Sequence, residues 1–454
     1  MLRKKDEFHY PLESLFGQIL SPFERFLRRT TAGGIILMAT SLVSILIANS
    51  AWGDGFHHFW EQALTVSFGA WELKHSLHQW VNDGLMAFFF LLVGLEIKRE
   101  ILVGELSSLR DATLPIGAAI GGMIVPALIY TSFNYGTPGI SGWGIPMATD
   151  IAFAVGILVL LAWRVPRSLI IFLTALAIVD DLGAVLVIAI FYTQKISVTA
   201  LASAAAVLAV LILFNRGGIR HPLPYVLGGI VLWYLTLLSG LHATVAGILL
   251  AMTIPARPAF SPVQFNQRLE ELNQGFLATV LDPDTPDHPL SNHRMATIAE
   301  NVEKAAITVQ PPLQRMEHGL GTWVTFLVIP AFALSNAGID FRQIDFAASI
   351  SASVTMGIMI ALVLGKFIGI SGSCWLILKS GWGQMPQGMN WRHLTGAAWL
   401  GGIGFTMSMF IGGLAFTDPL HFADAKLGIL LASPTAAIIG LIWLYIGSSA
   451  PDND

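Results

Sequence analysis

Residues 168–192 read SLIIFLTALAIVDDLGAVLVIAIFY, and Asp180 and Asp181 stand side by side at the middle of this apolar run. The run is long enough to cross a bilayer, which takes about 20 residues of helix. One ionisable side chain at that depth costs roughly 2.5–3.5 kcal/mol on insertion scales, and an adjacent charged pair costs more. Intramembrane carboxylates of this kind mark an ion or proton path. The plainer alternative is a buried structural acid with a hydrogen-bonded partner.

The rest of the chain has the same character. Its 454 residues are 54% hydrophobic and 12% charged, and its mean hydropathy is +0.67. Soluble domains carry about 25% charged residues. The sequence therefore describes an all-α polytopic membrane protein. A net charge of −4 gives no electrostatic footprint for nucleic acid. The single cysteine, Cys374, excludes an internal disulfide. No cleavable signal is evident, and residues 1–30 read as a basic, amphipathic N-terminal arm at the cytoplasmic surface.

The apolar runs predict about twelve spans. They begin near Thr31, Trp80, Leu114, Trp143, Ser168, Val198, Leu223, Leu241, Leu320, Phe346, Leu394 and Lys426. About eight fall in 31–255 and four in 314–448, and 449–454 is a tail. With the N-terminus inside, twenty Lys and Arg residues lie on the cytoplasmic side and four outside, Lys74, Lys195, Arg342 and Lys426. The remaining one, Lys366, lies within a span. This asymmetry puts both termini in the cytoplasm. Two segments do not span. LTVSFGAWELKHS, within 62–78, alternates around Gly69 and Ala70 as a short β-hairpin does. An isolated hairpin is marginal in water, which suggests pairing with a second copy; a covering loop is the alternative. Residues 256–313, with DPDTPDHPLSNH at the centre, read as a partly disordered cytoplasmic insertion.

Burial and a second negative charge nearby both favour the protonated form of a carboxylate. Asp180 and Asp181, about 100° apart on a helix, can face one cavity. Such a site holds protons or a hard, oxygen-seeking cation such as sodium, and the competition is sufficient for exchange. Two other spans are interrupted. In GIPMATDIAFAVGIL, Pro146, Thr149 and Asp150 break the run; in LTGAAWLGGIGFTMSMFIGG, Gly401, Gly402 and Gly404 precede Thr406. Unwound backbone at this depth is tolerated only where it is buried in protein or lines a cavity. Two interrupted spans in corresponding halves point to a transporter site built from inverted repeats. Their broken ends leave partial charges in the membrane. Asp150 can offset positive N-terminal ends, and Lys366 is the cation for negative ones. Lys366 needs an acid, either Asp150 as a structural counter-charge or Asp180 as a direct partner. Glu96, Glu317, His318 and His242 form a further group of interfacial acids and imidazoles. Histidine titrates near physiological pH, so these are candidates for pH response or ordinary interfacial residues, as is Asp83.

At FFFLLVGLEIKRE, AAIGGMIVPAL, ATDIAFAVGIL, ALAIVDDLGA, SGLHATVAG, PAFALSNAGI, GKFIGIS and GGIGFTMS the chain closely resembles the NhaA-type sodium/proton antiporters. That family is itself a type case of the inverted-repeat architecture. The resemblance implies twelve helices, with spans three to five and ten to twelve as repeats whose broken helices cross at mid-membrane. It assigns Na⁺ and proton binding to Asp180 and Asp181, the helix break to Thr149 and Asp150, and the buried lysine to Lys366. It links Glu96, Glu317 and His318 to pH response. It implies electrogenic extrusion of Na⁺ or Li⁺ against H⁺ by alternating access, in pH and sodium homeostasis, without a cofactor. It also implies a bacterial inner-membrane location and a homodimer joined through the outer hairpin. The chain departs from the family in its longer 256–313 insertion. It also has Gly321 where a second histidine follows the Glu-His pair, and Phe367 where a proline follows the lysine. An enzyme is not expected. The rivals are a proton- or sodium-coupled symporter of an organic solute, a retinal photoreceptor with Lys366 as the Schiff base, and a channel.

Overall fold

The computed structural model describes residues 31–69, 71–193, 196–282, 291–342 and 345–447. The N-terminal arm expected over 1–30 and the tail at 449–454 lie outside the described residues. In chain order the main elements begin with helices α1 (Thr31–Ala48) and α2 (Gly53–Glu61), strands β1 (Ala63–Phe68) and β2 (Trp71–Ser76), α3 (Met86–Val103) and α4 (Leu109–Asn134). Then come α5 (Ile151–Leu160), α6 (Arg167–Phe191), α7 (Val198–Arg216), α8 (Pro222–Ser239) and α9 (Val245–Thr253). They continue with α10 (Pro262–Val280), α11 (His293–Val309), α12 (Pro312–Trp323), α13 (Ile329–Asn336) and α14 (Ser353–Ile360). The last are α15 (Lys366–Ser380), α16 (Trp391–Leu400), α17 (Phe405–Ala415) and α18 (Pro419–Gly447).

Among the described residues, seven helices are long and apolar enough to cross a membrane, or ten if each of three bent pairs is one span. Two bent pairs are the interrupted segments of the sequence: Pro138–Met147 with α5, bent 42°, and α16 with α17, bent 44°. The third is α1 with α2, where the chain turns through 111°. Several span starts differ from expectation. The last helix begins at Pro419, not near Lys426, so Lys426 is two turns inside it. Likewise Glu317 and His318 sit within α12, which starts five residues before Glu317.

The segment within 62–78 is the expected hairpin. β1 and β2 pair antiparallel from Ala63 with Ser76 to Phe68 with Trp71. Gly69 turns the chain at φ +61°, where a side chain would be strained. The two strands form the whole sheet, so each keeps an open edge. The 256–313 insertion, expected as partly disordered, carries helices α10 and α11, which pack on each other. Its Asp- and Pro-rich centre at 283–290 lies outside the described residues.

The chain divides into two compact units. One takes in Met1–Leu85, Val103–Tyr192 and Thr325–Asp454; the other takes in Met86–Leu102 and Thr193–Val324. In the second, Leu91, Leu95, Leu211, Tyr225, Leu232 and Leu250 form the buried core. In the first, α4 and α15 touch backbone to backbone. A Cβ built on Gly369 would lie 2.2 Å from the Gly121 carbonyl oxygen. Helices without a hydrophobic drive between them associate through small residues that permit such approach. The same contact lays Gly122 beside the Lys366 side chain, 3.7 Å from a Cβ there to Lys366 Cδ. Immediately before Lys366 the helix widens into a π-helical turn, Ala361–Gly365. Such a turn resets the phase of the side chains that follow and recurs at functional sites.

Candidate functional site

The two broken spans meet at their breaks, within the first unit. Pro138–Met147 is a 3-10 helix, and the chain is then extended through Ala148 and Asp150 before α5 begins. Pro146 and the polar Thr149–Asp150 pair remove the helical hydrogen bonding there, and the freed groups find partners across the break. The Asp150 N–H donates to the Ile403 carbonyl at 2.6 Å. The Thr149 hydroxyl donates to the Gly401 carbonyl at 2.9 Å. Gly404 has to be glycine: a Cβ would fall 2.2 Å from Ser408 Oγ and 3.1 Å from the Ala148 carbonyl oxygen.

Asp150 serves two helix starts at once. Its Oδ1 accepts from the Phe153 N–H at 3.0 Å, capping α5. Its Oδ2 accepts from the Thr406 N–H at 3.0 Å and from the Thr406 hydroxyl, at the first turn of α17. A helix N-terminus presents unsatisfied N–H groups and about half a positive charge. One carboxylate, 2% exposed, thus answers two such ends.

Lys366 goes to the other acid. Its Nζ donates to Asp180 Oδ2 at 2.7 Å and to Thr149 Oγ1 at 3.0 Å. Of the two partners the sequence left open, the structure chooses Asp180, and Asp150 is committed to the helix ends. Thr149, Asp180, Asp181 and Lys366 all have no exposed surface. Asp180 and Asp181 lie one residue apart on α6, which brings both into reach of the Lys366 charge. Asp180 Oδ1 accepts no hydrogen bond among the described residues. Three buried carboxylates thus share one buried ammonium and two helix ends. Leaving a buried charge unbalanced is costly, so the site is chemically suited to take up a proton or a small cation as the balancing charge.

The four residues expected to respond to pH are all in the second unit, and they do not form one cluster. Arg99 pairs with Glu317 Oε1 at 2.6 Å and with Glu100 at 3.1 Å. Glu317 is 8% exposed, and Glu96 lies one turn before Glu100 on α3. Close by, Lys98 Nζ caps the C-terminal end of α9, donating to the Met252 carbonyl at 2.7 Å and to the Ala251 and Ile254 carbonyls. His318 is exposed and bonds back to the Gln314 carbonyl at 2.9 Å. His242 precedes α9, 3.1 Å from Thr244 Oγ1, so it belongs to the opposite end of that helix from Lys98.

The model of the family described as Na⁺/H⁺ antiporter 1 matches residues 24–444, nearly the whole chain and every element of the site. The chain belongs to the Na⁺/H⁺ antiporter 1 family. It is 60% identical over 449 residues to a protein named Na(+)/H(+) antiporter NhaA from Syntrophobacter fumaroxidans, covering 99% of this chain and 95% of that one. A protein of the same name from Acidithiobacillus ferrooxidans is 57% identical over 427 residues, covering 94% and 98%. Na(+)/H(+) antiporter NhaA 1 of Saccharophagus degradans is 47% identical over 437 residues, covering 95% and 93%. Together with the apolar helices, membership of the antiporter family makes this a multi-pass membrane protein.

Some residues of the site in this family member were not assigned from sequence. Thr406 was noted after the glycines but given no part. Its signal is its position as the second residue of a half-helix, where its free N–H and its hydroxyl both seek an acceptor. Ser408, which donates to the Ile145 carbonyl at 2.8 Å, and Ser433, which accepts from the Phe405 N–H at 3.2 Å, complete the braces around the breaks. Serines in apolar helices bond their own backbone so often that sequence gives them no distinguishing mark.

Proposed function

We propose that this chain exchanges sodium for protons across the membrane, with Asp180 and Asp181 as the site that each ion takes in turn. The observation that carries the reading is the Lys366–Asp180 pair, wholly buried beside Asp181 and the crossed breaks. Sodium entering there has to displace Lys366 from Asp180, and protons returning to the acids displace sodium. Lithium is the second cation such an oxygen site accepts. Each pH unit supplies about 1.36 kcal/mol per proton. One net charge crossing 100 mV supplies about 2.3 kcal/mol. An electrogenic cycle with more protons than sodium ions can therefore drive sodium outward when the pH gradient is small.

The finer architecture belongs to the same reading. Twelve spans result if the ten candidates are joined by 80–103, whose end carries Glu96, Lys98, Arg99 and Glu100, and by the nine-residue α9. The matching pattern of a broken helix between long ones, in 109–191 and again in 353–447, supports inverted repeats. The charge asymmetry of the loops favours cytoplasmic termini and, in a bacterium, the inner membrane. The open edges of β1 and β2 favour a homodimer paired through 62–78. Glu96, Glu317 and the Arg99 pair are the proposed pH-responsive group, with His318 and His242 as outlying candidates.

Reconstitution into proteoliposomes decides between exchange and its rivals. Added sodium should drive protons the opposite way and carry a current that depends on membrane potential. Movement of both ions in the same direction would contradict the reading and favour a symporter.

A further inference from the structure

Two side chains that take no part in the ion pair tie the start of α15 to the end of α16. The rings of Phe367 and Trp399 stack with centroids 4.1 Å apart and planes inclined at 17°. Phe367 follows Lys366 directly in the first turn of α15, and Trp399 is the last residue but one of α16, just before the Gly401 break. One turn further along α15, Ile370 Cδ1 lies 2.6 Å from where a Cβ on Gly401 would be. The Gly401 carbonyl accepts from Thr149, which in turn accepts from Lys366 Nζ. The start of α15 and the end of α16 are therefore tied twice, by a polar chain through Lys366 and by an aromatic stack beside it.

The Trp399 ring lies nearly parallel to Phe367. The Trp399 indole N–H is buried and makes no hydrogen bond among the described residues. A buried tryptophan is commonly anchored by that group; here the ring face against Phe367 holds it. The residue before α15, Gly365, packs on Pro126: a Cβ there would be only 3.0 Å from Pro126 Cα. Between Pro126 and Trp399 the turn that carries Lys366 has little freedom to roll.

We propose that Phe367 and Trp399 are positioning residues that hold Lys366 on Asp180 and so set how much sodium is needed to displace it. The inference rests on the exchange reading above, in which the lysine and sodium compete for Asp180. Weakening the stack lets the first turn of α15 roll away from Asp180. The lysine then competes less well, and sodium takes the site at lower concentration. The stacking preference of an aromatic pair corresponds to roughly a two- to tenfold change in apparent affinity.

The test uses the full chain in proteoliposomes, with proton movement read against sodium concentration at fixed pH. Phe367→Leu keeps apolar bulk and removes the ring face; Trp399→Leu does the same from the other side. Each should lower the apparent KM for sodium, and the double variant should lower it no further than the single ones. Phe367→Tyr and Trp399→Phe keep a stack and should match the wild type. A role in packing alone would reduce the maximal rate in line with the amount of folded protein and leave KM unchanged. That result overturns the proposal, as would tyrosine behaving like leucine. If the wild type itself moves no protons on addition of sodium, the exchange reading fails and the inference falls with it.

Discussion

Lys366 Nζ stands 2.7 Å from Asp180 Oδ2, and neither side chain has any exposed surface. Asp181 lies one residue away on the same helix, equally buried. A buried ion pair contributes little net stability compared with apolar residues, but removing one partner strands the other. The pair is a weak structural choice, and in the exchange proposed above an arriving cation or proton replaces the lysine as partner.

Replacing the lysine should therefore be severe and repairable. Lys366→Met strands Asp180 in a buried site without its partner, at a cost of about 3–5 kcal/mol. Adding Asp180→Asn removes the stranded acid and should restore most of the thermal stability in detergent. Neither variant should exchange sodium for protons. Additive losses in the double variant would mean that the two residues do not act as a pair.

Asp150 answers two helix N-termini, so its loss should exceed that of one cap. Asp150→Ala should cost about 2 kcal/mol or more, the sum of two ordinary caps. Asp150→Asn, with one acceptor oxygen in place of two, should fall between alanine and wild type. Thr406→Val removes only the hydroxyl bond and should cost about 1 kcal/mol. Thermal unfolding of the purified variants ranks them, and equal losses for alanine and asparagine would contradict the double cap.

The α4–α15 contact gives a comparison within one helix. A Cβ at Gly369 would collide with the Gly121 backbone, whereas nothing lies within 4 Å of a Cβ at Gly372. Gly369→Ala should destabilise by about 1–3 kcal/mol. Gly372→Ala should be neutral or stabilising, since alanine is the better helix former. Unfolding midpoints measured side by side check the difference.

Beside the hairpin, His78 carries a pH prediction. Its Nδ1 lies 2.7 Å from Ser335 Oγ and its Nε2 2.9 Å from the Asn82 amide nitrogen. Burial, and then the Lys426 charge, push its pKa down from 6.5 to about 4. The folded protein thus favours the neutral ring, and between these values the unfolded chain binds the extra proton. The stability His78 contributes is present above about pH 6.5 and lost as pH falls toward 4. His78→Gln should flatten that part of the pH profile of thermal stability, and an unchanged slope would contradict the assignment.

How far the sequence carried depended on the physics each feature obeys. The membrane class, the breaks at Thr149–Asp150 and Gly401–Gly404, and the burial of the paired aspartates were legible because the bilayer penalises charge and open backbone so heavily that exceptions stand out; the expected count of twelve spans was not matched, since seven helices, or ten with the bent pairs, are long and apolar enough among the described residues. The hairpin was legible from its period of two. The choice of Asp180 over Asp150 for Lys366 was not, since it depends on which acid the crossed helix ends had already claimed. The part that Thr406 plays was hidden for the same reason: its partner is 256 residues away. The helices at 262–280 and 293–309 were hidden by the polar composition around a proline-rich centre. A helix pair with a narrow apolar face reads much like a disordered loop when only its average polarity is weighed.

The most direct measurement is calorimetric titration of the purified chain with sodium, in buffers of different ionisation enthalpy, which counts protons released per ion bound. One site taken by either ion predicts that sodium binding expels protons, and that Asp181→Asn abolishes both binding and release. Sodium binding of the same strength with no proton release would contradict the account.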